Sequence, residues 1–483
     1  MKAEGELYDF LGSLEFSALP AATVESCLAL ILDHFGCALL GARMPWTQAL
    51  RRVTSPTKSR RRRSAADLLV DTRFRRGCGR IGNDRHSTAG IAGGGAFVYG
   101  EREPVPATTA ALVNGTAGHA LDLDDLYFPA MSHPGCVIVP ATVAAATANR
   151  TDGRRLITAI VGGYEVMGRI GVATGLRAGE LGFHATGQHG PAGAAAAVAM
   201  LANHDARGVA SAVGIAGSLG AGIKAFTNGP GMVKRLHAGR AAEAGVLAAS
   251  LVPEGFDGPA TPLTGKFGLV HILGYGEADV EALARGLSQH YVVDDIYLKP
   301  YAACGALHGA VRAADEIAGE IGDPALVELV VVGTSRRALD QNSDTDPEDA
   351  MSVQYSMECC VALGLLGQAH EPLRIMAVAD DPQDPARVLA RKVTLELDRR
   401  AEEAYPDPNV SRVDVFLTDG RMVSRYGECT PATSRGWDAA VAKFDRVTAE
   451  VLTLPARQRL VAAVRALASG APVTDCLDAV RAA

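Results

Sequence analysis

The chain has 483 residues, 47 basic and 54 acidic side chains, and a formal net charge of −7. Its length exceeds what one hydrophobic core fills, so two or three domains are expected, and a hydrophobic content of 48% excludes global disorder. The mild acidity leaves no overall electrostatic footprint for nucleic acid, and no window reads as the ~18 consecutive apolar residues of a membrane span.

In chain order, the N-terminus is acidic (Met1-Lys2-Ala3-Glu4-Gly5-Glu6) and has no apolar stretch of the kind a secretory signal needs. The nine cysteines are scattered without a C-x-x-C pair, Cys359 and Cys360 being simply adjacent. That argues against a disulfide framework, a zinc ribbon or an iron–sulfur site, and makes a reducing cytoplasm the expected location. Residues 23–40 place Val24, Cys27, Leu28, Ile31, Phe35 and Leu39 on one helical face and predict a buried helix. From Arg51 to Arg85 arginines crowd together, opposed only by Asp67, Asp71 and Asp84. This run reads either as a nucleic-acid or membrane-surface arm or as a solvated insertion. It lacks the series of aromatic rings that base stacking uses, so the insertion is favoured.

Residues 108–250 are helical in pattern and rich in Ala, Gly and Val, with tight helices over 192–201 and 208–219. Gly217-Ser218-Leu219-Gly220-Ala221-Gly222 is not in the G-x-G-x-x-G order, and no strand precedes it; close helix packing is the better reading. Strand signals come later. Val327–Val332 is one, Val393/Leu395/Leu397 alternate in another, and Val413–Leu417, Thr418-Asp419-Gly420-Arg421 and Met422-Val423 predict a hairpin with an Asp-Gly turn. Helical patterns return after Gly436. There is no internal repeat. The expected fold is mainly α: a helical domain over 1–270, an inserted smaller α+β domain over 271–430, and C-terminal helices over 431–483 that rejoin the helical domain.

Four polar motifs place ionisable groups in Gly-rich, apolar surroundings. The first runs Asn114-Gly115 … His119 … Asp122-Leu123-Asp124-Asp125 and continues to Ser132-His133-Pro134-Gly135. Three carboxylates and a histidine suit acid–base work or a metal, and equally suit caps and turns. The second, Gly182-Phe183-His184-Ala185-Thr186, puts a histidine at a loop-to-helix junction, where the helix dipole disfavours its cation. The third, Lys234-Arg235-Leu236-His237-Ala238-Gly239, offers a point charge and a bidentate fork for a carboxylate, with Gly229, Gly231 and Gly239 permitting close backbone approach. The fourth, Lys299-Pro300-Tyr301-Ala302-Ala303-Cys304 … His308, sets Cys304 and His308 one helical turn apart, as a pair or as packing.

Taken in this order and spacing, the motifs N-G-x-x-x-H-x-x-D-x-D-D, S-H-P, G-F-H-x-T, K-x-x-H-x-G-x-A-A and K-P-Y-x-x-C-x-x-x-H resemble the MmgE/PrpD family, which includes 2-methylcitrate dehydratase, cis-aconitate decarboxylase and iminodisuccinate epimerase. The resemblance spans the chain except 51–94. It implies a large all-helical domain with a smaller α+β lid, a homodimer, and cofactor-free, metal-free chemistry on a small di- or tricarboxylate, with no nucleic-acid or membrane partner. It also implies catalytic roles for Asp122, His133, His184 and Lys234, which should line one pocket with Lys299 and Cys304 near its mouth, and substrate contacts from Arg235, His237, Lys299, Cys304 and His308. Two positions depart from the pattern. Leu126 stands where many members carry Thr, and Cys304 where some decarboxylases carry His. The expected reaction is that of a 2-methylcitrate dehydratase-like hydro-lyase, in which a base removes a proton next to a carboxylate and cations stabilise the charge. Epimerisation, cis-aconitate decarboxylation and a catalytically inactive binding protein are the alternatives.

Overall fold

The computed structural model describes residues 2–54, 95–229, 231–406 and 408–481. The arginine-rich segment lies outside them apart from Arg51 and Arg52, which end the Pro45–Thr54 helix.

The helical layer is built around Ala107–Gly118, Gly135–Asn149, Gly153–Thr174, Ala185–Leu201 and Val233–Leu251. Small residues set how closely these pack. A Cβ on Gly239 would meet the Leu112 carbonyl and the Thr116 hydroxyl at 2.2 Å, and one on Gly245 would meet the Ala194 Cβ at 2.3 Å. The predicted helix at 23–40 spans Ala21–Gly41, but it is buried on all sides from Cys27 onward rather than on one face. Trp437–Thr448 packs against it, with Phe444 and Val447 filling the space over Gly36. Both chain ends therefore meet in the helical layer, and its core runs from Leu7 through Phe35, Tyr164 and Ala195 to Leu460 and Leu477.

The strand signals all fall on strands: β1 Val327–Thr334, β2 Val393–Leu397, β3 Asn409–Leu417 and β4 Met422–Cys429. The sheet order is β2-β1-β3-β4, with β1 and β2 parallel and the other neighbours antiparallel. Val330 pairs Val393 on one side and Val415 on the other. The β3–β4 turn places Gly420 at φ 87°, as an Asp-Gly turn requires. Helix His308–Ile321 lies on the sheet, close enough that a Cβ on Gly427 would overlap the Gly309 carbonyl. A second core of Val330, Val332, Val413, Val415 and Ile317 fills this layer and reaches Leu121 and Leu123 of the helical layer.

Two expectations change here. Ala21–Gly41 and Gly153–Thr174 do have the length and apolar content of a membrane span, which the sequence reading missed; 83% and 94% of their apolar windows are buried inside this fold. The helix expected over 208–219 ends at Gly217 and residues 218–222 leave it, with Gly222 at φ 116°; close packing on a helix holds, since a Cβ on Gly187 would overlap the Ala221 carbonyl.

Candidate active site

Helix Ala107–Gly118 ends at His119, and the chain then turns so tightly that Asp122 takes a left-handed φ of 51°. Its carboxylate is bracketed by two ammonium groups. Lys234, in the first turn of Val233–Leu251, donates to Oδ2 at 2.5 Å, and Lys299 donates to Oδ1 at 2.8 Å. Lys299 is brought there by a two-way backbone bridge between Leu126 and Tyr297 and by the Leu298 N–H on the Ser434 carbonyl. Burial alone would raise the Asp122 carboxyl; Lys234 and Lys299, with His133 and His119 beyond them, hold it well below the usual carboxylate range. Lys443 braces the same loop from behind, donating to the Leu123 carbonyl at 2.6 Å and pairing with Asp33 at 2.6 Å.

His133 stands over this carboxylate, its Nε2 3.7 Å from Asp122 Oδ1. Its Nδ1 lies 2.7 Å from the Asp125 carbonyl, which only accepts, so Nδ1 carries the proton and Nε2 keeps its lone pair. Burial, with His119 and Lys299 nearby, lowers the imidazole to about 3, so it is neutral at pH 7. Three motif residues explain themselves at this point. The Thr186 hydroxyl accepts the His133 backbone N–H at 3.1 Å. Asp125 accepts the Gly135 N–H and the Tyr164 hydroxyl, each at 2.8 Å. A Cβ on Gly135 would strike that carboxylate at 2.8 Å. Burial and the Asp124 charge raise Asp125 to about 7. Asn114 is a fold residue, its amide joined to the backbone of Phe97 and Tyr99.

His184 precedes helix Ala185–Leu201, at the expected junction. It stacks on His119, ring centroids 5.9 Å apart, while His133 rests on the same His119 at 4.8 Å. The two imidazoles are therefore neighbours across one ring. Burial and Lys234 hold His184 below its ordinary value. Its Nδ1 meets His237 Nδ1 at 3.1 Å, so one ring donates and the other accepts. The Gly222 carbonyl accepts its backbone N–H.

Asp122, His133, His184, Lys234 and Cys304 line one pocket, together with Leu126, Tyr355 and Phe226. The other expected contacts lie elsewhere. Lys299 is fully buried behind Asp122, not at the mouth, because its ammonium is spent on that carboxylate. Arg235 is a buried clamp between the layers. Its guanidinium donates to the Ala120 carbonyl at 3.2 Å, the Gln354 Oε1 at 2.5 Å and the Met351 sulfur. His237 sits behind His184. His308 makes no pair with Cys304: its Nδ1 faces the Tyr297 hydroxyl and its Nε2 the Ala303 carbonyl, both at 3.2 Å, which uses both nitrogens. Gly239 approaches another helix rather than a ligand, and a Cβ on Gly229 or Gly231 would meet nothing within 4 Å. Sequence reasoning passed over His119, although its own motif contained it, and over Lys224, Arg337 and Tyr405, which also line the pocket. No local pattern marks these last three.

His119, Asp122, Asp124 and His133 bring possible ligand atoms within 4.8 Å of one another, the dimensions of a cation cage. The two carboxylates of the set are already matched, however. Two ammonium groups hold Asp122, and the Asp124 carboxylate faces His119 Nδ1 at 2.9 Å. A dication would add charge beside two lysines, so the cluster suits proton transfer better than metal binding.

Residues 83–281 match the MmgE/PrpD N-terminal domain and residues 301–469 the MmgE/PrpD C-terminal domain. Among relatives, a cis-aconitate decarboxylase of Aspergillus terreus is 25% identical over 450 residues, covering 88% of this chain and 84% of that one. A cis-aconitate decarboxylase-like protein of Aspergillus oryzae is 27% identical over 326 residues, 65% of this chain and 61% of its own. The cis-aconitate decarboxylase of Homo sapiens is 34% identical over 160 residues, 32% of each chain.

Proposed function

Because the chain belongs to the MmgE/PrpD family, we propose that it is a lyase acting on a small tricarboxylate by proton transfer at a carbon next to a carboxylate. The observation that carries this reading is the Asp122 carboxylate held between Lys234 and Lys299 under the free Nε2 of a neutral His133, in a pocket. Nε2 takes the carbon-bound proton. Lys234 faces the charge that develops on the substrate carboxylate. Asp122 keeps both lysines in register, while the Asp125 carbonyl orients His133. In a dehydration, as of 2-methylcitrate, a second group protonates the departing hydroxyl, which leaves as water while the C=C bond forms. His184, next to His133 across the His119 ring, is the group we assign to that proton. Cys304, standing where some decarboxylases carry His, also favours dehydration.

The relatives favour a second reading, decarboxylation of cis-aconitate. There one proton is added to the vinyl carbon, the double bond shifts and CO2 leaves. Incubation of the purified protein with 2-methylcitrate and with cis-aconitate, followed by NMR, separates the two by their products. Turnover of neither, nor of iminodisuccinate or citrate, would overturn the lyase reading in favour of an inactive family member. Activity is expected to persist in EDTA; loss restored by one divalent ion would return the histidine–aspartate cluster to the role of a metal site.

A further inference from the structure

The cations in and around the pocket fall into two sets. Lys234, on its wall, and Lys299, buried behind it, share Asp122. Lys224 and Arg337 line the same pocket, and among the described residues neither has a carboxylate partner. Lys224 comes from the short turn Lys224–Asn228, and its ammonium rests on neutral oxygens, the Gln341 Oε1 at 3.0 Å and the Gly179 carbonyl at 3.5 Å. Arg337 comes from helix Arg336–Gln341, directly after β1, and its guanidinium lies 5.9 Å from the Tyr405 ring centre. Gly179 leaves room for it: a Cβ there would come within 3.3 Å of the Arg337 Nη2. Burial and the neighbouring Arg337 lower the Lys224 ammonium to about 8. The Tyr405 hydroxyl on the same wall is buried and, among the described residues, has no hydrogen-bond partner. Two cations and one donor line space where, among the described residues, the pocket's carboxylate Asp122 is already held by Lys234 and Lys299. An anion entering this space would meet both charges and the phenol at once.

We infer that Lys224, Arg337 and Tyr405 form a subsite for a second carboxylate of the substrate, separate from the Asp122 centre. This deepens the proposed function and rests on its polycarboxylate reading. The lysine supplies a point charge, the guanidinium a two-pronged fork and the phenol a neutral donor.

The test uses tricarballylate, a tricarboxylate with neither hydroxyl nor double bond, so binding is read without turnover. Calorimetric titration of the full chain should show binding, with Kd raised roughly 10- to 100-fold in Lys224→Met and in Arg337→Met, the range expected for a charge-assisted hydrogen bond. Arg337→Lys should recover part of the loss, and Tyr405→Phe should weaken binding less. Circular dichroism checks each fold; should Lys224→Met not fold, Arg337→Met and Tyr405→Phe decide. Failure of the wild type to bind tricarballylate, or variants that bind within about twofold of it, would overturn the subsite. Variants that lose binding while the wild type turns over neither 2-methylcitrate nor cis-aconitate would leave the subsite standing and remove the proposed reaction.

Discussion

At the scale of single residues, the chemistry depends on a histidine kept neutral and a carboxylate kept charged within one small volume. The Asp125 carbonyl fixes the His133 tautomer, and two lysines fix the Asp122 charge. His133→Asn keeps a hydrogen-bonding side chain of similar size but removes the base. Turnover should fall by roughly 10²–10⁴-fold with little change in substrate affinity, as steady-state kinetics would show. A variant that instead lost affinity and kept turnover would make His133 a binding residue. The motifs made most of this centre legible, because ionisable residues among Gly and Ala are conspicuous in sequence. They could not separate Lys234, which faces the pocket, from Arg235, which turns away to clamp Gln354, since adjacent helical residues point about 100° apart and the sequence does not state the helix phase.

At the scale of elements, the position of Lys234 depends on how closely its helix lies on Ala107–Gly118, and glycine sets that distance. Gly239→Ala would drive a methyl group into the Leu112 carbonyl and the Thr116 hydroxyl. A loss of about 1–3 kcal/mol is expected, read as a lower urea midpoint at unchanged slope. Because the shift lies little more than one helical turn from Lys234, activity should fall beyond what the lost stability explains. The joint between helical and sheet layers is a second such element. The Gln354 amide reaches the carbonyls of Leu121 and Ala302 while its oxygen accepts from Arg235. Gln354→Leu would leave those buried groups unpaired, at a cost of about 1–3 kcal/mol, and a thermal melt would register it. The Asp-Gly hairpin and the alternating strands were readable beforehand because their signals are local. The Gln354 joint was not, because its partners come from three separate segments.

For the molecule as a whole, buried neutral histidines tie stability to pH. Burial lowers His34 and His133 from 6.5 to about 3 and His189 from 6.5 to about 4. Each folded value lies below the unfolded one, so the stability these groups contribute is complete above pH 6.5 and is lost as the pH falls towards 4. Each contributes a slope of up to about 1.4 kcal/mol per pH unit within that window. Asp125, raised from 3.8 to about 7, works the other way, losing stability as the pH rises across the same interval. His184, His204, His237 and His308 are lowered as well, and Asp33, Glu165 and Asp295 are raised beside Asp125. The lowered histidines outnumber the raised carboxylates, so the melting temperature should drop between pH 6.5 and 4, and a flat profile would contradict these burials. What the sequence by itself determined is whatever sits in short windows: the mainly helical class, the strands and their turn, and the ionisable motifs that resemble one family. Each of these follows from periodicity, turn chemistry or spacing within some tens of residues. Only the tertiary structure decided which charges share the pocket. Lys299 was drawn under Asp122 and Arg337 was set beside Lys224, because electrostatic partnership depends on separations of a few ångströms between segments more than a hundred residues apart.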